Sequence, residues 1–237
     1  MKKINIGNSG LLASEISLGI MRMNALTHEE ATAVIRTAVD NGIDYFDHAD
    51  IYGRGTSEEI FGKAFKELGI ARDSVMLQTK CGIVPGVMFD FSKEHIIASV
   101  EGSLKRLQTD YVDALLLHRP DTLMEPEEVA EAFDALHKAG KVRHFGVSNQ
   151  NPMQIELLKK AVTQPLLINQ LQLSLTHAPM IDAGFNVNMM NNPSFMHDGS
   201  VLEYSRISDM TIQPWSPFQA GNGKKGLFFD HPDYPEL

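Results

Sequence analysis

The sequence is poor in the features that mark secreted and membrane proteins. It has a single cysteine, Cys81, which excludes an internal disulfide and is typical of proteins from a reducing cytoplasm. No apolar run approaches the roughly 18 residues that a membrane helix needs, and the N-terminus turns polar too soon for a signal peptide. We therefore expect a cytoplasmic protein that does not enter a membrane.

Positive charge is also scarce. The 21 lysines and arginines are outnumbered by 30 aspartates and glutamates, which gives a net charge of −9. This balance favours solubility and argues against nucleic acid or an anionic membrane surface as a partner. The expected partner is a small molecule, and the sequence leaves the oligomeric state undetermined.

The chain has ample material for one globular core. Its 237 residues are 43% hydrophobic and 22% charged, as is ordinary for a folded domain. From residue 16 onward, short apolar segments alternate with longer amphipathic ones. The predicted strands cover residues 16–20, 43–47, 75–80, 112–118, 142–147, 166–171 and 211–215. The predicted helices cover residues 27–40, 57–68, 92–107, 126–139, 152–161 and 201–208.

This alternation predicts an α/β fold with parallel strands and right-handed crossovers. The number of units favours a (β/α)8 TIM barrel over an open sheet, although periodicity alone does not separate the two. Residues 2–15, with a turn at 7–10, predict an N-terminal hairpin, and residues 183–199 predict a loop. No linker divides the chain, so we expect one domain over residues 1–237.

The predicted elements stop at the seventh strand. Residues 216–237 are rich in glycine, lysine and proline and predict no further helix or strand. A closed eightfold barrel needs another helix, strand and helix, and without them the first and seventh strands have unpaired edges. We therefore expect a barrel that is truncated after the seventh strand, or one that closes in another way.

Four chemically active side chains fall at or just after the ends of three consecutive predicted strands. Asp47, Lys80 and His118 end their strands, and Tyr52 follows Asp47 by five residues. In a parallel barrel the carboxyl ends of the strands meet at one rim, where catalysis takes place. We therefore expect the carboxylate, the ammonium, the imidazole and the phenol to form one catalytic site.

Such a group of side chains suits carbonyl reduction, which needs a hydride at carbon and a proton at oxygen. The phenol of Tyr52, with a reference pKa of about 10, holds its proton at neutral pH but is a weak donor. An ammonium from Lys80 would lower that pKa, and Asp47 would pair with the buried Lys80. His118 would hydrogen-bond the carbonyl oxygen, and no metal is needed.

Each of these residues also has an ordinary structural explanation. Taken alone, Asp47 would cap a turn and Tyr52 would anchor a loop. Lys80 would reach for solvent, and His118 would hydrogen-bond its own loop. The catalytic interpretation depends on the four occurring together at consecutive strand ends.

Three other functions draw on the same part of the sequence. A Schiff-base lyase would use Lys80 as its amine. A binding protein without catalytic activity would keep the rim but lack a complete cofactor site. A metal-dependent hydrolase, for which the spacing is poor, would use His48, Asp50, His118 and His144.

Several segments together resemble a known family, the aldo-keto reductases, and within it the bacterial oxidoreductase branch. The resemblance extends over residues 1 to about 220 and includes the opening hairpin. The segments are Ser17–Gly19 (SLG), Asp47–Gly53 (DHADIYG), Thr79–Lys80 (TK), Leu116–Asp121 (LLHRPD), Gly140–Asn149 (GKVRHFGVSN), Ile168–Gln170 (INQ) and Trp215–Pro217 (WSP).

The resemblance implies NADP(H)-dependent reduction of an aldehyde or ketone, with Tyr52 as the proton donor of the tetrad. By position, Ser148, Asn149 and Gln170 match the residues that hydrogen-bond the nicotinamide carboxamide. Trp215 stands where the family usually has a tyrosine that stacks on the nicotinamide, and an indole has a suitable face. The full set of implied cofactor-binding residues is Gly19, Met21, Asp47, Ser148, Asn149, Gln170, Trp215, Ser216, Pro217 and Phe218.

One part of the family pattern has no counterpart here. The eighth strand and the start of the last helix bind the adenosine 2′-phosphate in the family, and nothing in this sequence matches them. The preference for NADP over NAD is therefore not fixed by the sequence. Residues 221–226, which combine glycines with two lysines, are candidates for pyrophosphate contact or an ordinary surface loop.

Overall fold

The computed structural model describes residues 1–195, 198–221, 224–229 and 231–236. Within them the chain forms β1 (Lys3–Ile6), β2 (Leu11–Ser14), β3 (Ser17–Gly19), β4 (Tyr45–Asp47), β5 (Met76–Cys81), β6 (Ile83–Val84), β7 (Met88–Phe89), β8 (Val112–Leu117), β9 (Val142–Ser148), β10 (Leu166–Gln172) and β11 (Thr211–Trp215). The helices are α1 (His28–Asp40), α2 (Thr56–Glu67), α3 (Lys93–Leu107), α4 (Pro126–Lys138), α5 (Pro152–Leu158), α6 (Pro179–Phe185) and α7 (Val201–Ile207). No helix in these ranges is long and apolar enough to cross a bilayer.

Seven of the strands form one sheet in the order β3-β4-β5-β8-β9-β10-β11, and every neighbouring pair is parallel. Strands β5 and β11 are four strand spacings apart, which in a flat sheet is about 19 Å. Yet Gln78 on β5 and Gln213 on β11 are hydrogen-bonded at 2.8 Å. The sheet therefore curls into a barrel wall, with β3 and β11 at its two edges, and the predicted α/β barrel fold is confirmed.

Side chains of the sheet alternate between the helices outside and the barrel interior, as the period of a strand requires. On β5, Leu77 and Cys81 pack into the large apolar cluster beneath the helices. Met76 instead joins a smaller interior cluster with Leu116 and Ile168. The same parity carries Gln78 and Lys80 inward, so the polar side chains of the rim rest on an apolar floor.

The hairpin of β1 and β2 closes the amino-terminal end of the barrel, where Ile6 and Ala13 join the interior cluster. Gly7 has a left-handed backbone (φ 54°) and donates its N–H to Oγ1 of Thr211 at 2.8 Å. A Cβ at residue 7 would lie 2.7 Å from Cβ of Leu167, so only glycine fits this approach. The predicted hairpin is confirmed, and it connects the floor to β11.

Helix starts follow the capping residues in the sequence. Thr27 and Glu30 form a capping box at α1, and Asn151 with Gln154 form another at α5. Side chains of this kind satisfy backbone N–H groups that have no partner inside the helix. The six predicted helices begin within one residue of their expected starts.

The structure differs from the prediction in several places, including helix α5, which ends at Leu158 rather than at residue 161. Helix α6 lies where part of a loop was expected at 183–199, and the small hairpin β6–β7 was not expected. Strand β4 begins at Tyr45 rather than at residue 43.

After β11 the described residues contain only an isolated bridge between Gln219 and Leu227. Of the candidate pyrophosphate segment, Asn222 and Gly223 lie outside the described residues.

Candidate active site

The four predicted catalytic residues converge at the carboxyl end of the barrel. Asp47 is the last residue of β4, Lys80 is the penultimate residue of β5, and His118 directly follows β8. Tyr52 opens a short 3₁₀ turn that ends at Gly55 and leads into α2. The structure therefore brings all four side chains to one rim, as the strand-end positions predict.

Lys80 is at the centre of the group. Its side chain is fully buried, and its Nζ lies 2.8 and 2.9 Å from the two Asp47 carboxylate oxygens. The same ammonium donates to the His48 carbonyl at 2.6 Å and lies 3.1 Å from Oη of Tyr52. A buried ammonium is stable only when its charge and its donors are matched. Here the Asp47 carboxylate balances the charge of Lys80, and the Tyr52 hydroxyl lies within hydrogen-bond distance of the same ammonium.

The charges of this group act on one another. Burial alone would lower the pKa of Lys80, but the Asp47 carboxylate and the Tyr52 hydroxyl outweigh it and raise that pKa. Burial raises the pKa of Tyr52, and the Lys80 charge only partly offsets this. The expected lowering of the Tyr52 pKa by the Lys80 ammonium is present, but the net pKa is raised because desolvation of the phenolate is the larger effect.

His118 faces Tyr52 edge to face, with ring centroids 5.9 Å apart. Burial, followed by the positive charges of Lys80 and Arg119, lowers the pKa of His118 to about 3. Its imidazole is therefore neutral at physiological pH and keeps one N–H. A neutral imidazole has one N–H, so this ring can serve as a neutral hydrogen-bond donor at the rim.

A polar network below the rim was missed by the sequence reasoning. Gln78 accepts a hydrogen bond from the Tyr45 hydroxyl at 2.5 Å. It donates through Nε2 to Oδ1 of Asp47 at 2.6 Å and to Oε1 of Gln213 at 2.8 Å. Gln213 also accepts from Gln170 at 2.5 Å. The network joins the acid of the tetrad to a residue of the expected cofactor group, across the inside of the barrel.

Four of the residues implied for cofactor binding form a second connected group. The Ser148 hydroxyl donates to the Gln170 carbonyl at 2.9 Å. Asn149 donates to Oγ of Ser148 at 2.7 Å and to the His118 carbonyl at 3.3 Å. Nε1 of Trp215 donates to Oδ1 of Asn149 at 3.1 Å. Asn149 has a left-handed backbone (φ 57°), which asparagine adopts more readily than most residues.

The remaining implied residues flank the rim. Gly19 pairs with Asp47 in the sheet, and a Cβ built on it would meet nothing within 4 Å, so there is open space beside it. Met21 is 49% exposed. Ser216 follows β11 with a left-handed backbone (φ 51°), and after it come two exposed residues, Pro217 and Phe218.

These residues fit a nicotinamide. The amide oxygen of Gln170 has no hydrogen-bond partner among the described residues, so it can accept from a carboxamide. The Trp215 indole is partly exposed at the rim and offers an aromatic face for stacking. Further along, the partly exposed Lys224 pairs with Asp233 at 2.7 Å.

Two of the rival site types fit the geometry poorly. In the described part of the chain no three His, Cys, Asp or Glu side chains lie close enough together to hold a metal ion. His48 is fully buried and packs edge-on against Phe61, 4.4 Å between ring centroids. A Schiff base needs a neutral amine, whereas the pKa of Lys80 is raised above its usual value by the Asp47 carboxylate.

Comparison with known proteins agrees with this geometry. A profile of the Aldo/keto reductase family matches residues 15–223. The chain is 42% identical over 233 residues to the uncharacterized oxidoreductase YcsN of Bacillus subtilis (strain 168), covering 93% of this chain and 72% of YcsN. It is 38% identical over 190 residues to the oxidoreductase YdhF of Escherichia coli (strain K12), covering 76% of this chain and 64% of YdhF.

A solved structure has the same fold. The thermostable aldo-keto reductase Tm1743, in complex with the inhibitor epalrestat, superimposes with a TM-score of 0.75 at 25% identity and covers 91% of this chain and 73% of Tm1743. The matched family profile, the relatives and the shared barrel all indicate the same assignment, and the chain belongs to the aldo/keto reductase family of oxidoreductases.

Proposed function

We propose that this protein reduces an aldehyde or ketone to an alcohol with NADP(H), and that residues 1–237 act as one domain in doing so. One observation carries the proposal: a fully buried ammonium, Lys80, is held by both oxygens of Asp47 and lies 3.1 Å from the Tyr52 hydroxyl. This arrangement matches a proton donor whose conjugate base needs a nearby positive charge.

Proton delivery is the part of the reaction that these residues perform. Tyr52 gives its hydroxyl proton to the carbonyl oxygen as that oxygen gains negative charge. The Lys80 ammonium stabilises the phenolate that remains, since the two groups are already within hydrogen-bond distance. Asp47 keeps Lys80 charged and aimed at the phenol. When bound, the nicotinamide supplies the hydride to the carbonyl carbon.

His118 has a positioning role at the carbonyl oxygen. Because its pKa is lowered to about 3, the imidazole holds its single N–H throughout the neutral range and is a poor source of a second proton. A neutral N–H donor orients the carbonyl toward Tyr52 and polarises it without adding charge. The edge-to-face contact between the two rings fixes their relative direction.

The cofactor would lie along the rim from β3 to β11. Ser148, Asn149 and Gln170 would hold its carboxamide, and Trp215 would stack on its ring. Ser216, Pro217 and Phe218 would continue along the pyrophosphate, with Gly19 and Met21 beside the nicotinamide and the substrate. NADP(H) is the form that the family resemblance implies, and the relative affinities for NADPH and NADH test this directly.

Two measurements test the proposal. NADPH is first titrated into the protein while the fluorescence of Trp215, the only tryptophan, is followed, with NADH in parallel. Consumption of NADPH is then measured with a panel of aldehydes and ketones. Saturable quenching and carbonyl-dependent consumption are expected. Folded protein that gives no quenching would favour a protein without catalytic activity, and quenching without consumption would contradict the assigned reaction.

A further inference from the structure

Arg119 lies at the mouth of the proposed site, directly after His118. It is exposed, and its guanidinium lies 5.7 Å from the centre of the Trp215 ring. Its positive charge adds to the burial that lowers the pKa of His118, and it slightly opposes the burial that raises the pKa of Tyr52. The guanidinium therefore lies at the rim beside the expected nicotinamide-stacking residue, on the strand end that carries His118.

The backbone restricts where this guanidinium can go. Arg119 precedes Pro120, and a residue before proline is confined largely to extended conformations. The carbonyl of His118, one residue earlier, accepts a hydrogen bond from Asn149 at 3.3 Å. The segment that carries Arg119 is thus anchored to the same asparagine that binds Trp215.

The charge of Arg119 is not matched within the described residues. None of their carboxylates forms an ion pair with it, and the nearby Asp121 accepts backbone N–H groups from Phe91 and Leu123 instead. The Lys80 charge is already balanced by Asp47. Arg119 therefore places an unpaired positive charge at the mouth of the site, in a chain whose net charge is −9.

We propose that Arg119 makes this site selective for carbonyl compounds that carry a carboxylate. The inference rests on the proposed carbonyl reduction and specifies its substrate class. A guanidinium presents paired N–H donors that match the two oxygens of a carboxylate. One unmatched positive charge balances the single negative charge of that group. A cation at a cleft also raises the rate at which anionic substrates arrive.

The test uses two benzaldehydes that differ at the para position, 4-carboxybenzaldehyde with a carboxylate and methyl 4-formylbenzoate with its neutral methyl ester. The readout is the ratio of their kcat/KM values, so any effect of Arg119 on Tyr52 cancels. In Arg119→Gln this ratio should fall roughly 10- to 100-fold, as expected for loss of a charge-assisted hydrogen bond. Arg119→Lys should recover part of it. The control Arg36→Gln, on the exposed face of α1, should leave the ratio unchanged.

A binding measurement separates this inference from the proposed reaction. Benzoate and the neutral benzamide are titrated against Trp215 fluorescence without any cofactor, and NADPH is titrated separately. Benzoate should quench the wild-type protein and not Arg119→Gln. If this holds while neither aldehyde is reduced, the proposed reaction fails and the carboxylate site stands.

Three results would overturn the inference. The first is an unchanged acid-to-ester ratio in Arg119→Gln. The second is an absence of Arg119-dependent benzoate binding. The third is a loss of NADPH affinity in Arg119→Gln with an unchanged substrate ratio, which would assign the arginine to the cofactor phosphates.

Discussion

Nε2 of Gln78 lies 2.8 Å from Oε1 of Gln213, although the two residues are 135 positions apart in the chain and stand on strands that are not neighbours in the sheet. The same Nε2 donates to Asp47. The side-chain amide of Gln78 therefore connects Asp47 to the side of the barrel where Gln170 and Trp215 lie.

Replacing Gln78 with leucine should lower both stability and catalysis. The change removes one partner each from Tyr45, Asp47 and Gln213, and a buried polar group without its partner costs about 1–3 kcal/mol. Tyr45→Phe is the matched control, because it removes one bond of the network below Asp47. Urea unfolding should rank Gln78→Leu as the less stable variant, and only Gln78→Leu should lose much of its reductase rate. Equal effects of both variants on rate would contradict this.

Replacing Tyr52 with phenylalanine should abolish most carbonyl reduction while cofactor binding stays nearly unchanged. The proton donor is lost, and general-acid catalysis of this kind is typically worth about 10²- to 10⁴-fold. The measurements are NADPH consumption with a good substrate and the NADPH titration of Trp215 fluorescence. A variant that reduced carbonyls at the wild-type rate would show that the proton comes from elsewhere.

Replacing Lys80 with methionine should strongly destabilise the fold and also remove most of the reductase activity. The change leaves the Asp47 carboxylate without its counter-ion, and breaking a buried pair in this way typically costs about 3–5 kcal/mol. The double variant Asp47→Asn/Lys80→Met removes both charges and should recover part of that loss. The free energy of unfolding of each variant is measured by urea titration. Equal values for the single and double variants would be inconsistent with a buried ion pair.

Acid should destabilise the protein partly through His48. Burial, followed by the charges of Lys80 and Arg72, lowers the pKa of His48 to about 3, whereas an unfolded histidine titrates near about 6.5. The unfolded chain therefore binds more protons between those two pH values, and stability falls as the pH falls through this window. For one such group the loss between pH 7.5 and 4.5 is about 2–3 kcal/mol.

The variant His48→Phe isolates this contribution. Neither ring nitrogen of His48 has a partner among the described residues, so phenylalanine loses no hydrogen bond and can keep the edge-on contact with Phe61. The variant should lose about 2–3 kcal/mol less than the wild-type protein over the same pH range. Parallel pH profiles of unfolding free energy for the two proteins would show that His48 is not the source.

The positions of the catalytic candidates could be predicted because they depend on local signals. Buried parallel strands appear as short apolar runs, and the residues that end them must meet at one rim. This reasoning placed Asp47, Lys80 and His118 correctly. The parity of β5 that brings Lys80 inward also brings Gln78 inward, which the strand-end argument did not use.

The parts that were missed depend on contacts distant in sequence. In the sequence, Gln78 and Gln213 are isolated polar residues, and only the curl of the sheet brings them together. One signal was available: Gln78 lies two residues before Lys80 and therefore points to the same side of the strand. Helix α6 has only seven residues and no side-chain cap, so no periodicity marks it. The net pKa of Tyr52 depends on how deeply the fold buries the phenol, which sequence spacing does not report.

The packing of the β1–β2 hairpin against the barrel restricts the two glycines of its turn to different degrees. At residue 7 any side chain would collide with the backbone of Leu167, whereas at Gly10, in the same turn, a Cβ meets nothing within 4 Å. Both glycines have a left-handed backbone (φ 54° and 86°), so a replacement at Gly10 meets only the cost of that conformation, whereas a replacement at Gly7 meets the collision as well. Related sequences with this floor should therefore keep glycine more strictly at residue 7 than at residue 10.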